Sequence, residues 1–192
     1  MTLAFTRHSY GTHYELRPRG SAPVHVHRGV PEGWSLPEGC TPRFAVSADP
    51  EGASPLAVVV RKNSGRLAVL TPDREQLAEL CLPPRQKKWW RPLYEIHLPD
   101  GTVLQGREGT VPSLLLWLVQ LPFYLLYLVA LVFSDSPPPD AVTAPLRTAW
   151  KRPGQFFGRV ALTESARGRF RVRGDRLDHR VAYAQAVAKY WK

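Results

Sequence analysis

Arginine alternates with other residues in "RGRFRVRGDR" (167–176), the stretch whose composition points most directly to a binding function. A period of two is typical of a β-strand, so we expect the arginines on one face and Phe170 and Val172 on the other, against the core. Guanidinium forks match the geometry of phosphate, which makes this face a candidate for binding lipid headgroups. The alternative interpretation is a solvated strand face without a ligand. The candidate lipid- or anion-binding residues are Arg167, Arg169, Arg171 and Arg173.

Two further clusters place tryptophan beside cationic residues, in "KKWWRP" (87–92) and "AWKRPGQFF" (149–157). Indole rings gather at the headgroup level of a membrane, where lysine and arginine reach phosphate. Because the two clusters flank an apolar segment, we interpret them as membrane-interface residues. Tryptophans that cap one end of a barrel are the alternative. The predicted interface residues are Lys87, Lys88, Trp89, Trp90, Arg91, Trp150, Lys151 and Arg152.

The sequence carries no recognised catalytic motif: it lacks a GxSxG elbow, a P-loop, an HExxH pair and a dinucleotide fingerprint. His25 and His27 share a strand face, but they have no obvious third metal ligand. Cys40 and Cys81 form no CxxC, so their spacing supports neither a disulfide framework nor a thiolate zinc site. The other histidines, His97 among them, are interpreted as ordinary surface or hydrogen-bonded residues. We therefore expect a non-enzymatic protein without a metal, a cofactor or a small-molecule substrate.

Residues 111–133 form an uncharged block of 23 residues that is rich in leucine. As a helix the block extends about 34 Å, enough to cross a hydrocarbon core of about 30 Å. Leucine, valine and phenylalanine favour lipid over water, so we prefer membrane insertion to the alternative of a long helix in the protein core. The predicted membrane-embedded residues are Leu114, Leu115, Leu116, Trp117, Leu121, Pro122, Leu125, Leu126, Leu128 and Leu131.

The sequence leaves open whether this block crosses the membrane or re-enters it. Gln120 and Pro122 interrupt its middle, and Pro122 removes a backbone hydrogen bond. If the strands on both sides of the block close one barrel, both flanks must lie on the same face of the membrane. The proline-rich linker that follows cannot return through lipid, because its amide groups would stay unsatisfied. A single barrel therefore predicts a re-entrant or interfacial segment, whereas separate domains would permit one crossing.

Most of the remaining chain predicts β-hairpins. The stretches "RFAVSADPEGASPLAVVV", "VVVRKNSGRLAVL", "YEIHLPDGTVLQG" and "RVALTESARGRFRV" each place turn-forming residues between two β-prone runs. Several short strands with turns at this spacing are typical of an all-β sandwich or barrel.

The C-terminal stretch "DRLDHRVAYAQAVAKYWK" predicts a helix with Asp175 and Asp178 as candidate N-cap residues. Apolar side chains cover nearly its whole circumference, and only Gln185 and Lys189 are frankly polar between residues 181 and 191. A helix of this kind must be covered on nearly every side. A closed barrel around it would provide that cover.

A series of hairpins that closes with "VRGDRLDHRVAYAQAVAKYW" resembles the tubby-like group, which includes the phospholipid scramblases and the LURP-one-related proteins. The resemblance covers residues 40–110 and 153–192 and rests on the "PDG" turns and on "LDHRVAYAQAVA". It implies a mainly β (α+β) fold, a closed β-barrel around a C-terminal apolar helix. Here an inserted hydrophobic membrane helix or re-entrant segment interrupts the barrel. The proline-rich arm and the cysteine cluster typical of scramblases are missing, so scramblase activity is not transferred.

The predicted organisation has five parts. These are an N-terminal β or irregular segment (1–39), the first part of the barrel (40–110), the hydrophobic membrane segment (111–133), a proline-rich linker (134–152), and the last barrel strands with the core helix (153–192).

The charge of the chain favours an anionic partner, because the formal net charge is +10. The excess is greatest after the apolar block, where residues 134–192 hold 12 basic and 5 acidic side chains. We expect a small membrane-associated protein whose barrel lies on the cytoplasmic face of the cell membrane. It would present a basic surface to anionic lipid or to an unidentified protein partner. The alternatives are a single-pass membrane protein with separate soluble parts on each side, and a soluble barrel that binds nucleic acid.

Overall fold

The computed structural model describes residues 2–10, 13–62, 64, 66–83, 92–109, 118–123, 125–126, 147–154, 160–165 and 168–191. Twelve antiparallel strands form one closed barrel, and a helix follows the last strand. The strands are β1 (Thr2–Tyr10), β2 (His13–Pro18), β3 (Val24–Arg28), β4 (Cys40–Ser47), β5 (Pro55–Lys62), β6 (Leu67–Leu70), β7 (Gln76–Cys81), β8 (Leu93–His97), β9 (Val103–Glu108), β10 (Thr148–Lys151), β11 (Leu162–Glu164) and β12 (Arg169–Arg173). The mainly β barrel that the hairpin pattern predicts is thus confirmed.

The strands are arranged around the barrel in chain order, and β1 closes it by pairing with β12. Phe5 lies opposite Phe170 in this closing pair, and their rings stack with centroids 4.9 Å apart. Strands β1 to β3 fall within residues 2–28, so the N-terminal segment supplies a quarter of the wall. The sequence pattern predicts the first part of the barrel only from residue 40, so these three strands extend it toward the N-terminus.

The turn chemistry of the sequence explains the hairpins. In the β4–β5 turn the Asp49 carboxylate accepts hydrogen bonds from the backbone N–H groups of Ala53 (2.7 Å) and Ser54 (2.6 Å). In the β8–β9 turn the Asp100 carboxylate accepts one from Thr102 N–H at 2.8 Å, and Gly101 has φ of 78°. These local bonds replace strand pairing where the chain reverses. All four predicted hairpins are present, as β4–β5, β5–β6, β8–β9 and β11–β12.

The C-terminal helix (His179–Ala188) lies inside the barrel. It contacts β1 and β12 on one side and β5 and β7 on the other, and all residues 181–188 are buried. The Asp178 side chain caps the helix by accepting a hydrogen bond from Arg180 N–H at 2.8 Å. Burial opposes the ionised form of Asp178, but the hydrogen bonds from the Arg180 side chain and backbone outweigh it and lower the pKa of this carboxyl. The predicted N-cap and the all-round burial are both confirmed.

The two ends of the barrel carry different connections. Because each antiparallel strand reverses direction, the connections after β1, β3, β5, β7, β9 and β11 all lie at one end. We call this the insertion end, since the apolar block joins β9 to β10 there. The helix starts at the opposite end, which we call the distal end, and finishes at the insertion end. The strand ends that carry the apolar block and the connection 82–92 therefore lie at the same end of the barrel as the end of the helix.

Candidate functional site

The apolar block leaves and rejoins the barrel at neighbouring points. Glu108, the last residue of β9, lies opposite Thr148, the first residue of β10, and Gly106 lies opposite Trp150. Residues 109–147 therefore form one long connection between two adjacent strands, with both attachments at the insertion end. Strands before and after the block belong to a single barrel.

The described part of the apolar block is helical and exposed. Residues 118–123 and 125–126 are helical. Phe123 is 69% exposed and Leu126 is 67% exposed, and Leu118, Val119 and Leu125 are also more than half exposed. Most monomeric proteins expose large apolar side chains singly and not in such a cluster. This cluster is not packed in the barrel interior, which the C-terminal helix occupies.

The predicted membrane-embedded residues divide into two sets. Leu121, Pro122, Leu125 and Leu126 belong to the exposed helical part, with Leu121 only partly covered. No helix in the described ranges is long and apolar enough to span a bilayer. The remaining predicted residues lie outside the described ranges and are Leu114, Leu115, Leu116, Trp117, Leu128 and Leu131.

The "KKWWRP" cluster belongs to the connection between β7 and β8, at the insertion end. Pro92, the last residue of the cluster, is described, and β8 begins at the next residue. β8 is the neighbour of β9, from which the apolar block departs. The β7–β8 and β9–β10 connections are therefore both attached to the β8–β9 hairpin. The predicted interface residues Lys87, Lys88, Trp89, Trp90 and Arg91 themselves lie outside the described residues.

The second predicted interface cluster is corrected by the structure. Trp150 is fully buried, because it points from β10 into the core beside Tyr94, with ring centroids 6.3 Å apart. Lys151 and Arg152 follow at the distal end, where the Arg152 guanidinium donates to the Thr102 hydroxyl at 3.4 Å. This cluster therefore lies at the end of the barrel opposite the attachment of the apolar block. Its resemblance to "KKWWRP" is one of composition alone.

The arginine strand has the predicted alternation. Arg169, Arg171 and Arg173 are exposed on the outer wall, while Phe170 and Val172 are buried in the core. Arg173 is 3.9 Å from Asp175, and both side chains are about half exposed. Arg169 and Arg171 have no ion-pair partner within the described parts of the chain. Arg167 lies outside those parts, between β11 and β12 in the chain.

A shallow groove of about 290 Å³ lies along this strand. Thr2 of β1 is opposite Arg173, and Thr163 of β11 is opposite Arg171, so hydroxyl groups border the guanidinium groups on both sides. Val160 completes the lining. Hydroxyl and guanidinium donors are suited to phosphate oxygens. We call Arg169, Arg171 and Arg173 the arginine ladder. The groove is nearer the distal end, and Arg169 is the ladder residue nearest the insertion end.

A buried ionic cluster lies inside the barrel at the insertion end. Lys189, which follows the helix, has a side chain only 7% exposed and places Nζ 2.8 Å from Glu164 and 2.5 Å from Glu108. The Tyr190 hydroxyl donates to Glu164 at 2.5 Å. The Arg7 guanidinium lies over the Tyr190 ring, 3.6 Å from its centroid. These contacts tie the end of the helix to β9 and β11, the strands on either side of β10.

The environment of this cluster keeps its phenols protonated. Burial raises the pKa of the Tyr94 phenol far above its ordinary value, and the nearby Glu108 carboxylate adds to the effect. Burial and Glu164 raise the pKa of the Tyr190 phenol in the same way. Both hydroxyls therefore remain hydrogen-bond donors to carboxylates. No sequence pattern predicts this cluster, although Lys189 at the end of an otherwise largely apolar helix is a signal that a buried acidic partner is needed.

No protein-family model, no curated protein and no solved structure gives a significant match to the chain.

Proposed function

We propose that this protein is a small non-enzymatic barrel held at the cytoplasmic face of the cell membrane, with its insertion end toward the lipid. The observation that carries the proposal is the exposure of five apolar side chains in the connection that leaves that end of the barrel, Leu118, Val119, Phe123, Leu125 and Leu126. Burying five such side chains in acyl chains removes apolar surface that the described barrel leaves in water. The fold is proposed to be tubby-like, supported by the closed barrel and its enclosed C-terminal helix.

The apolar segment is proposed to dip into the lipid and return. Its attachments at Glu108 and Thr148 are partners on adjacent strands. A single crossing would have to carry the chain back through the hydrocarbon by way of the proline-rich linker, whose backbone groups would lack hydrogen-bond partners. Because the strands before and after the segment belong to one barrel, we disfavour the alternative of a single-pass protein with soluble parts on opposite sides of the membrane. Pro122, which lies within the exposed helical part, is a natural position for the bend.

The arginine ladder is proposed to bind anionic headgroups. Arg169 and Arg171 are exposed and lack acidic partners in the described ranges, so their charge is available to a ligand. Guanidinium groups near an anionic bilayer each add on the order of 1 kcal/mol to binding. Arg169 lies nearest the insertion end of β12, so it would reach the lipid surface first.

Placing two acidic residues in the exposed helix tests the insertion. We expect Leu125→Asp/Leu126→Asp to lower the partition of the protein into vesicles by at least about a hundred-fold, because an aspartate at the bilayer centre costs about 3 kcal/mol and less near the interface. Flotation with phosphatidylcholine and phosphatidylserine vesicles measures the change. Ser21→Asp/Ala22→Asp is the matched control, since it adds the same charges to exposed residues at the distal end.

The control is expected to float almost as the parent does. Equal flotation of the helix variant and the parent would refute insertion through these residues. Failure of the parent to float with either lipid would refute membrane association altogether, and would leave the nucleic-acid alternative for the arginine strand.

Removing the ladder tests headgroup binding separately. We expect Arg169→Ala/Arg171→Ala/Arg173→Ala to weaken binding to phosphatidylserine-containing vesicles by about ten- to a hundred-fold. Binding to phosphatidylcholine vesicles should not change. The matched control removes three exposed arginines from β2, the β2–β3 connection and β5, as Arg17→Ala/Arg19→Ala/Arg61→Ala. If both triple variants lose the same affinity, net charge alone accounts for binding and the ladder has no special role.

A further inference from the structure

Three side chains that commonly bind metals meet on the outer wall of the barrel, away from the arginine ladder. They are Cys81 of β7 and Glu95 and His97 of β8. The Cys81 sulfur, a Glu95 carboxylate oxygen and a His97 ring nitrogen all lie within 4.8 Å of one another. All three residues are partly buried, so the group is neither sealed in the core nor fully hydrated.

The register of the sheet creates this cluster. Cys81 lies directly opposite Glu95, and His97 is two residues farther along the same strand and therefore on the same face. A hydrogen bond from the Gln105 amide of β9 to Glu95 Oε1, at 2.8 Å, fixes the carboxylate. The other oxygen, Oε2, is 3.2 Å from His97 Nε2. Three paired strands thus hold the group, and no mobile loop is needed to assemble it.

We propose that Cys81, Glu95 and His97 bind Zn²⁺. Thiolate, imidazole and carboxylate are the ligands that zinc takes in proteins, and three protein ligands leave one position of a tetrahedron for water. A thiolate and a carboxylate also balance the charge of a divalent cation. Magnesium and calcium prefer sites made only of oxygen, so a thiolate and an imidazole disfavour them. Closing the site requires the ligand atoms to approach to about 3.5 Å from one another, a movement of side chains alone.

The surroundings support a cation at this position. Two basic residues of this region, Lys62 and Arg66, are paired with Glu79, at 3.2 Å and 3.1 Å. Glu79 lies opposite His97, so its negative charge offsets part of their positive charge beside the site. Gln105 would act as an outer partner of Glu95, since a hydrogen bond to a ligating carboxylate fixes its orientation. The hydrogen bond between Glu95 and His97 explains why these two side chains lie together. It does not involve the Cys81 thiol, which faces them from β7 and would be the third ligand.

Metal titration of the purified full-length chain, stripped with a chelator, tests the site without any membrane. We expect Zn²⁺ to bind one per chain in competition with a chromophoric chelator, and Co²⁺ to produce a thiolate-to-metal charge-transfer band. Cys81→Ser should abolish that band and weaken Zn²⁺ binding at least a hundred-fold. Gln105→Ala should weaken it by about ten- to a hundred-fold, as loss of an outer hydrogen bond does.

Cys40→Ser is the matched control, because Cys40 is the other partly buried cysteine and lies on β4. It should leave the affinity and the cobalt band unchanged. Absence of Zn²⁺ binding by the parent, or full binding by Cys81→Ser, would overturn the site. Equal loss in Cys40→Ser and Cys81→Ser would overturn it as well. Circular dichroism and the unfolding temperature without metal show that each variant is folded, so a loss of binding reports on the ligands.

Discussion

Lys189→Met is expected to lower the free energy of unfolding by about 3–5 kcal/mol, the typical cost of removing one partner from a buried ion pair. The Glu164 side chain is 3% exposed and depends on Lys189 for its counter-charge. Methionine keeps the length of the side chain and its packing against Tyr94 and Tyr190, so the loss reports mainly on charge. Urea unfolding at neutral pH, followed by circular dichroism, measures the change.

The same substitution at a more exposed ion pair is the control. Lys62 pairs with Glu79 on the outer wall with a side chain 35% exposed, against 7% for Lys189. Lys62→Met should cost less than about 1 kcal/mol, because water replaces the lost partner. Adding Glu164→Gln to Lys189→Met should recover a large part of the stability, since the neutral amide oxygen can still accept from Tyr190. A Lys189→Met variant no less stable than Lys62→Met would show that the cluster is not a stabilising one.

Local chemistry explains which parts of the fold the sequence could predict. Asp49 and Asp100 fix their turns through hydrogen bonds to the next few residues, so those hairpins follow from short stretches of chain. Asp178 caps the helix through Arg180, only two residues away. The alternation of Arg171 and Phe170 is likewise a property of a single strand. Patterns of this kind contain both partners of the interaction within one stretch.

Long-range pairing explains what the sequence analysis missed. Trp150 stands beside lysine and arginine as in "KKWWRP", and only the inward direction of its side chain from β10 shows that it is buried. Lys189 meets Glu108 because the helix ends where β9 ends, and no spacing in the chain reveals that. Cys81 and His97 come together through the β7–β8 register. Hydrophobic alternation predicts that a strand has two faces, but not which residue of a neighbouring strand lies beside each one.

The apolar block is a different case, because the prediction of membrane insertion rests on length and composition alone and stays a prediction. Phe123 and Leu126 are exposed, so their environment is not supplied by the core of the barrel. What the sequence left open was the path of the chain on either side. The pairing of Glu108 with Thr148 restricts that path to a departure and a return at one end. The proposal of a dip over a crossing therefore rests on the fold, not on the hydrophobicity of the segment.

Gly106→Ala is expected to lower the free energy of unfolding by about 2–3 kcal/mol, near the upper part of the range for overpacking a core. A Cβ at Gly106 would lie 2.5 Å from Nε1 and Cε2 of Trp150. The Trp150 ring is fully buried, so it has little room to retreat. The backbone of Gly106 is not in the left-handed region, so the cost is one of space. Chemical unfolding of the single variant measures it.

A double-mutant cycle identifies the clash as the cause. The smaller ring in Trp150→Phe should relieve the contact, so Gly106→Ala should cost at least about 1 kcal/mol less in that background. Gly20→Ala is the control, because Gly20 has φ of 82° and open space around its Cβ position. Its cost arises from the backbone and should be the same with tryptophan or phenylalanine at position 150. Additive effects of Gly106→Ala and Trp150→Phe would show that Gly106 is needed for another reason than the close approach of the indole.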